Sequence, residues 1–310
     1  MNPDPDRMDG LTFESDLHRD GASGGHELDS SIAVSNGRWV RRDQLALPLD
    51  DVGLRQGIIL VERLRTYGGQ LWQWIRHRSR LSSGCEGCGI KIHPDRWDEV
   101  VQRLLRQNAD RIANRDVAVV LLATPGQSDV PTMVAYLDPI NEAAVERRRQ
   151  HGQPVVITDY QLPSSDCWPR EWKIRSRPMY YLADRAARSI DPDAVGLLID
   201  HDAAVLDCSV ASVAIVQNGC IVMPPPERAL PSVSTMVVGD IAKDLGVTVD
   251  RKTFGIAELY DADEVWLMGT TTGLWFANRL TYQRRTEVLS KQVPPLCRAF
   301  LQQWVRRTSG

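Results

Sequence analysis

Two Asn-Gly pairs constrain this chain more than any other feature. Asn36-Gly37 separates Ile32–Val34 from Trp39-Val40, and Asn218-Gly219 separates Val213–Val216 from Cys220–Met223. The tightest hairpin turn needs positive φ at both central positions, which Asn and Gly tolerate best, so each pair marks an antiparallel hairpin. Helical patterns lie between them. In Pro94–Asn108 the apolar residues Trp97, Val100, Val101, Leu104 and Leu105 recur at i, i+3, i+4, i+7 and i+8, the period of one helix face. Met179–Ile190 and Val233–Leu245 also read as helices, the second closed by Gly246, and Cys297, Phe300, Leu301, Trp304 and Val305 form the apolar face of a C-terminal helix. Val117–Ala123, Thr132–Tyr136, Val155–Thr158, Val195–Asp200, Ala204–Asp207 and Val265–Met268 read as strands. The mixture predicts an α+β (α/β mixed) fold.

The length, 310 residues, allows one large domain or two medium ones at an apolar fraction of 43%. Residues 1–30 carry eight acidic and two basic side chains with almost no apolar periodicity, and they are expected to form a disordered tail. Residues 31–137 are then a smaller N-terminal domain. The polar run 138–152, rich in Arg and Glu, is the expected linker, and 153–310 the C-terminal domain. A net charge of −3 excludes attachment to nucleic acid through bulk charge. The apolar runs are too short to cross a bilayer, so no membrane partner is expected, and no basic-then-apolar leader opens the chain. Six cysteines in a chain this long do not form a disulfide framework and suit a cytoplasmic location.

Several local patterns carry chemistry, each with a plainer alternative. Cys85-Glu86-Gly87-Cys88 is a lone CxxC without the second ligand pair that a structural zinc site needs, so two unpaired thiols and no metal are expected. His77 and Arg80, three apart, share a helix face that is either a solvated basic edge or an anion site. Leu230-Pro231-Ser232-Val233-Ser234 runs into a helix start whose N–H groups either bind phosphate or are capped by the serines. Gly269-Thr270-Thr271-Thr272-Gly273 is a turn with backbone and hydroxyl donors. Lys173, between Trp172 and Ile174, is either a surface lysine covering a tryptophan or an amine made nucleophilic by apolar surroundings.

The order of these pieces resembles the class IV aminotransferases, pyridoxal-phosphate enzymes of fold type IV that include branched-chain and D-amino-acid aminotransferases and aminodeoxychorismate lyases. The resemblance runs from about Ser35 to Asn278. It rests on Asn36-Gly37, Asp51-Val52-Gly53, Gly57, Glu62, Arg65 and His77–Leu81, then on Lys173 followed by Leu182-Ala183, on Asp207 before a Ser-containing strand entry, on Leu230–Ser234, and on Ala262–Val265 followed by Gly269–Thr271. It implies two domains, the larger a mostly antiparallel pseudo-barrel, and a homodimer. It implies pyridoxal 5'-phosphate held as a Schiff base on Lys173, with Arg80, Val233, Ser234, Thr270 and Thr271 at the phosphate and Asp207 at the pyridine nitrogen. The substrates implied are an amino acid and a keto acid.

The chain departs from the pattern in places. Asp207 stands for the usual Glu, Ala211-Ser212 for Ser-Asn, Ser232 for the turn Gly, Thr235 for an Arg, Val61 for an aromatic pocket wall, and Thr124-Pro125-Gly126 for a stretch that carries a carboxylate-binding Arg in some members. Ile58, Ile59, Leu60 and Val61 form either an aliphatic pocket or core. Three functions follow: a branched-chain or similar apolar amino-acid aminotransferase, a pyruvate-releasing lyase, or a non-catalytic descendant of the family.

Overall fold

The computed structural model describes residues 28–165 and 169–309. Of the tail expected over 1–30, residues 1–27 lie outside the described part. Its last residues correct the expectation: Leu28 is fully buried in the N-terminal core, and the Ser31 N–H donates to its carbonyl at 2.9 Å. A single apolar side chain among charged neighbours leaves no periodic trace.

The first sheet has six antiparallel strands in the order β2-β1-β6-β5-β3-β4: β1 Ile32–Ser35, β2 Arg38–Arg41, β3 Leu60–Tyr67, β4 Gln70–Leu71, β5 Val117–Gln127 and β6 Val130–Pro139. Asn36 and Gly37 take φ of 48° and 78° at the β1–β2 turn, as the hairpin requires. Helices Trp74–Gly87 and Pro94–Gln107 cover one face, burying Leu81, Trp97, Val101 and Leu104 against Leu60, Leu64, Val119 and Leu121. The period of two along β3 sends Leu60, Glu62 and Leu64 toward these helices and Val61, Arg63 and Arg65 to the other side.

The second sheet closes into a barrel. Its strands are β7 Gln153–Gln161, β8 Val195–Ile199, β9 Val205–Cys208, β10 Ser212–Gln217, β11 Cys220–Met223, β12 Val249–Arg251, β13 Glu264–Gly269, β14 Gly273–Tyr282 and β15 Arg285–Val288. The circuit β10-β13-β14-β7-β8-β9 returns to β10 through the pair Asp207 and Ser212. The pairs β14–β7, β7–β8 and β11–β12 are parallel, and the other pairings are antiparallel. Along β10, Val213 and Ile215 fill the barrel, while Ala214 and Val216 face helices Val233–Leu245 and Pro295–Thr308. Both faces are therefore dry, which is why these strands read as continuous apolar runs. This is an α+β architecture of two domains, the larger built on a closed and mostly antiparallel barrel, as the resemblance implies.

The segment 138–152, expected to link the domains, is mostly the helix Glu142–His151. The Asn141 side chain caps it by accepting from the Ala144 N–H at 2.9 Å. At its end Gly152 takes φ of 72°, and a Cβ there would sit 2.7 Å from Phe276.

Candidate active site

The site begins with a carboxylate on an apolar face. Glu62, 1% exposed, sits between Leu60 and Leu64, and the helix Trp74–Gly87 brings His77 and Arg80 to it one turn apart. Arg80 donates from Nε to Glu62 Oε1 at 2.7 Å and from Nη2 to Oε2 at 2.8 Å, and His77 Nδ1 lies 2.8 Å from Oε2. Burial alone would raise the Glu62 carboxyl, but the Arg80 charge and hydrogen bonds, helped by His77, hold it down at about 2. Burial also pulls His77 below its ordinary value, against the pull of Glu62, so at neutral pH the ring is uncharged.

Arg80 reaches into the second domain. Its Nη1 donates to the Pro231 carbonyl at 2.9 Å, just ahead of the helix Val233–Leu245. The N-cap of that helix, Ser232, makes no side-chain cap, and its carbonyl accepts instead from the Thr235 hydroxyl at 2.7 Å. Arg80 is thus tied to the turn that opens this helix, whose first-turn amides at Val233 and Ser234 are of the kind that could hold a phosphate.

The backbone around Lys173 is tied to the start of β3. Val61 N–H donates to its carbonyl and Arg175 N–H to the Ile59 carbonyl, both at 2.8 Å, and Leu60 bridges Ile174. On the other side Trp172 packs over Gly87, where a Cβ would fall 2.6 Å from the indole nitrogen. Loss of water lowers the Lys173 amine to about 7, with the nearby charges of Arg177 and Arg80 acting in the same direction.

Asp207, next to last in β9, lies at the barrel seam. Strand register aligns it with Ser212, Met268 and Leu274, so the turn carrying Thr270 and Thr271 leaves the barrel at the same end. Asp207 is 5% exposed and accepts from the Tyr180 hydroxyl at 2.8 Å. Burial raises its carboxyl, and Arg177, Tyr180, Lys173 and Arg170 offset only part of that rise. A cation placed against this carboxyl would act against burial and favour its charged form.

Lys173 and Asp207 line one cleft that encloses about 770 Å³, part of it open to solvent. Arg80, Val233, Ser234, Thr270 and Thr271 lie outside its lining. Thr271 is held by β3: Arg65 Nη1 donates to its carbonyl at 2.7 Å and Arg63 Nε to its hydroxyl at 3.4 Å. The donor set fits pyridoxal phosphate: an amine of low basicity, a buried carboxylate, and an uncapped helix start beside a guanidinium.

The structure also decides between alternatives that the sequence left open. Ile58, Ile59, Leu60 and Val61 do not line the cleft, and Leu60 belongs to the N-terminal core because the period of β3 turns it toward the helices. The apolar walls come instead from Leu162, Pro163, Trp172, Ile174, Met179 and Leu230. Thr124 is buried and donates to the Asp51 carboxylate at 2.7 Å. Burial raises the Cys85 thiol to about 12 and pushes Cys88 up as well, so neither is a thiolate at neutral pH. The sequence reading missed Arg170, Arg177, Tyr180 and Arg228, which complete the cleft walls. For the first three the only signal was the density of Arg and Tyr around Lys173, and Arg228 had none.

A lysine and a carboxylate sharing a cleft at the mouth of a barrel, beside an anion cradle, define a cofactor-binding enzyme site. The amino-transferase class IV family model matches residues 59–280, and the chain belongs to that family, whose members depend on pyridoxal phosphate. The chain is 24% identical over 246 residues to a D-alanine aminotransferase of Bacillus licheniformis, covering 76% of this chain and 83% of that one. It is 23% identical over 245 residues to the aminodeoxychorismate lyase of Bacillus subtilis strain 168, covering 75% and 80%. The branched-chain amino acid aminotransferase of Escherichia coli superposes with a TM-score of 0.81 at 17% identity over 89% of this chain and 94% of that one, a likeness of fold.

Proposed function

We propose that the protein is a pyridoxal-phosphate-dependent aminotransferase acting on branched-chain or similar apolar amino acids and releasing the keto acid. One observation carries this reading: the lowered amine of Lys173 and the buried carboxylate of Asp207 face the same cleft between apolar walls. When bound, the cofactor supplies the electron sink that stabilises a carbanion at the substrate Cα. Lys173 Nζ, with an unprotonated fraction at neutral pH, attaches the cofactor and carries the proton to and from Cα. Asp207 would hold the cofactor's ring nitrogen protonated, and Tyr180 orients its carboxyl by donating from the hydroxyl. Arg80, the amides of Val233 and Ser234, and Thr270 with Thr271 grip the phosphate and turn remote binding into orientation.

A homodimer is proposed from the family resemblance, and the exposed Leu49, Leu54 and Ile75 are apolar side chains that such an interface could cover. The free thiols support a cytoplasmic location. The experiment is a half-reaction screen: the cofactor-loaded protein is mixed with a panel of L- and D-amino acids and the cofactor absorbance followed. Bleaching by Leu, Ile or Val supports the proposal, and no response to any amino acid refutes it. The likeness to the Bacillus subtilis lyase supports a second reading, in which aminodeoxychorismate yields pyruvate without a keto-acid acceptor.

A further inference from the structure

We propose that Asp200 is a positioning residue that sets the width of the cleft, and with it the size of side chain admitted, an assignment that rests on the cleft being the substrate site. Among the described residues the apolar walls come from two stretches, one around Lys173 with Pro163, Trp172 and Met179, the other at Ala229 and Leu230. Each stretch carries an arginine that also lines the cleft, Arg170 in the first and Arg228 in the second. Both arginines approach the same atom. Arg170 Nη2 lies 3.7 Å and Arg228 Nη1 3.8 Å from Asp200 Oδ2. Asp200 belongs to neither stretch: it follows β8, is 2% exposed and stands behind the lining.

The barrel fixes Asp200 in place. Its N–H donates to the Ala204 carbonyl at 2.8 Å, and its carbonyl accepts from the Ala203 N–H at 3.0 Å. Oδ1 accepts from the His201 N–H at 2.9 Å and lies 2.9 Å from His201 Nδ1, which leaves Oδ2 for the two arginines. Two guanidiniums this close repel each other, and the carboxylate they share offsets that repulsion. Arg170 passes the hold to its own wall by donating from Nη2 to the Pro163 carbonyl at 2.6 Å. Asp202 stands nearer to Arg228, at 2.6 Å, but the two side chains are 31% and 39% exposed, so water and salt screen that pair. The buried charge of Asp200 is screened less, and it ties the second wall to the first.

The test is amide hydrogen exchange and calorimetric titration on the full chain without added cofactor. Asp200→Asn keeps the shape of the side chain and removes its charge. Exchange over residues 227–230 is expected to rise about fivefold or more in this variant. The ratio of the affinities for 4-methylpentanoate and 4-phenylbutanoate is expected to shift about threefold or more toward the bulkier acid, and because both are anions the lost charge cancels in the ratio. A carboxylate with only a structural role would lower stability and leave the ratio alone. Arg228→Met releases the second wall by itself, at a partly exposed position, and decides the matter should Asp200→Asn fail to fold. It is expected to move exchange and ratio in the same directions, and adding Asp200→Asn to it to raise exchange no further. Asp202→Asn is expected to raise exchange less than about twofold. Unchanged exchange or an unchanged ratio in Asp200→Asn, unchanged exchange in Arg228→Met, or a larger effect from Asp202→Asn overturns the proposal. Pyridoxal-phosphate attachment at Lys173 is scored separately: if it fails while both readouts still follow Asp200, the aminotransferase reading falls and this role of Asp200 stands.

Discussion

Glu62 Oε2 lies 2.8 Å from both His77 Nδ1 and Arg80 Nη2, so one buried carboxylate holds the two polar side chains that the helix Trp74–Gly87 turns toward β3. The anion cradle at Val233 inherits its position from this triad, because Arg80 bridges Glu62 and Pro231.

Removing that carboxylate destabilises the fold. Glu62→Gln is expected to cost about 3 kcal/mol in urea denaturation at pH 7, since Arg80 is left buried without its anion. The folded carboxyl titrates at about 2 against an ordinary 4.5. Its contribution is therefore complete above pH 4.5 and is lost as pH falls toward 2. Native stability should drop across that window, and the drop should be smaller in Glu62→Gln.

Lys173 should behave as an amine of low basicity. Acylation of the cofactor-free protein, followed by peptide mass spectrometry, should show the Lys173 rate rising with a midpoint near pH 7, where ordinary lysines turn over near 10.5. Arg177→Met removes a repelling charge and should move the midpoint up. Between pH 7 and 10.5 the unfolded chain binds the extra proton, so this residue makes stability rise with pH, a slope that Lys173→Met should remove.

Tyr180 supplies a hydrogen bond that orients the Asp207 carboxyl and works against the upward pull of burial on it. Tyr180→Phe should slow the half-reaction about tenfold, the worth of roughly 1.4 kcal/mol, with the cofactor still bound. Asp207→Asn should slow it by about a hundredfold or more, because the ring nitrogen loses its counter-charge. Stopped-flow absorbance reads both.

Asp51 organises the start of the chain around the helix Val52–Gln56. Its carboxylate accepts from the Gly53 N–H at 2.8 Å and from the hydroxyls of Thr124 and Thr132 at 2.7 and 2.6 Å, all buried. Asp51→Ala should cost about 3 kcal/mol by leaving these donors unpaired, measured as a lowered urea midpoint.

The elements that end in a chemical signal were legible in the sequence. Val233–Leu245 has the bounds its period and Gly246 imply, and both Asn-Gly turns form with positive φ. Strands β3 and β14 were not read from periodicity, because Leu60–Glu62 and Gly273–Ala277 are buried on both sides and alternate nothing. Lys173, Asp207 and Arg80 were singled out by spacing and resemblance, and the fold brings their neighbourhoods together. Arg170 comes from a stretch without period, and Tyr180 from the first turn of the helix Pro178–Ile190, whose pattern predicts the helix but not the cleft its side chain lines. The hold of Arg63 and Arg65 on Thr271 joins positions about two hundred residues apart in the chain, and no local pattern records it.

The most direct measurement is incubation with pyridoxal 5'-phosphate, reduction with borohydride and peptide mapping by mass spectrometry. The account expects the reduced cofactor mass on Lys173, with no uptake in Lys173→Ala and weakened uptake in Arg80→Gln. A protein that retains no cofactor, or carries it on another lysine, contradicts it.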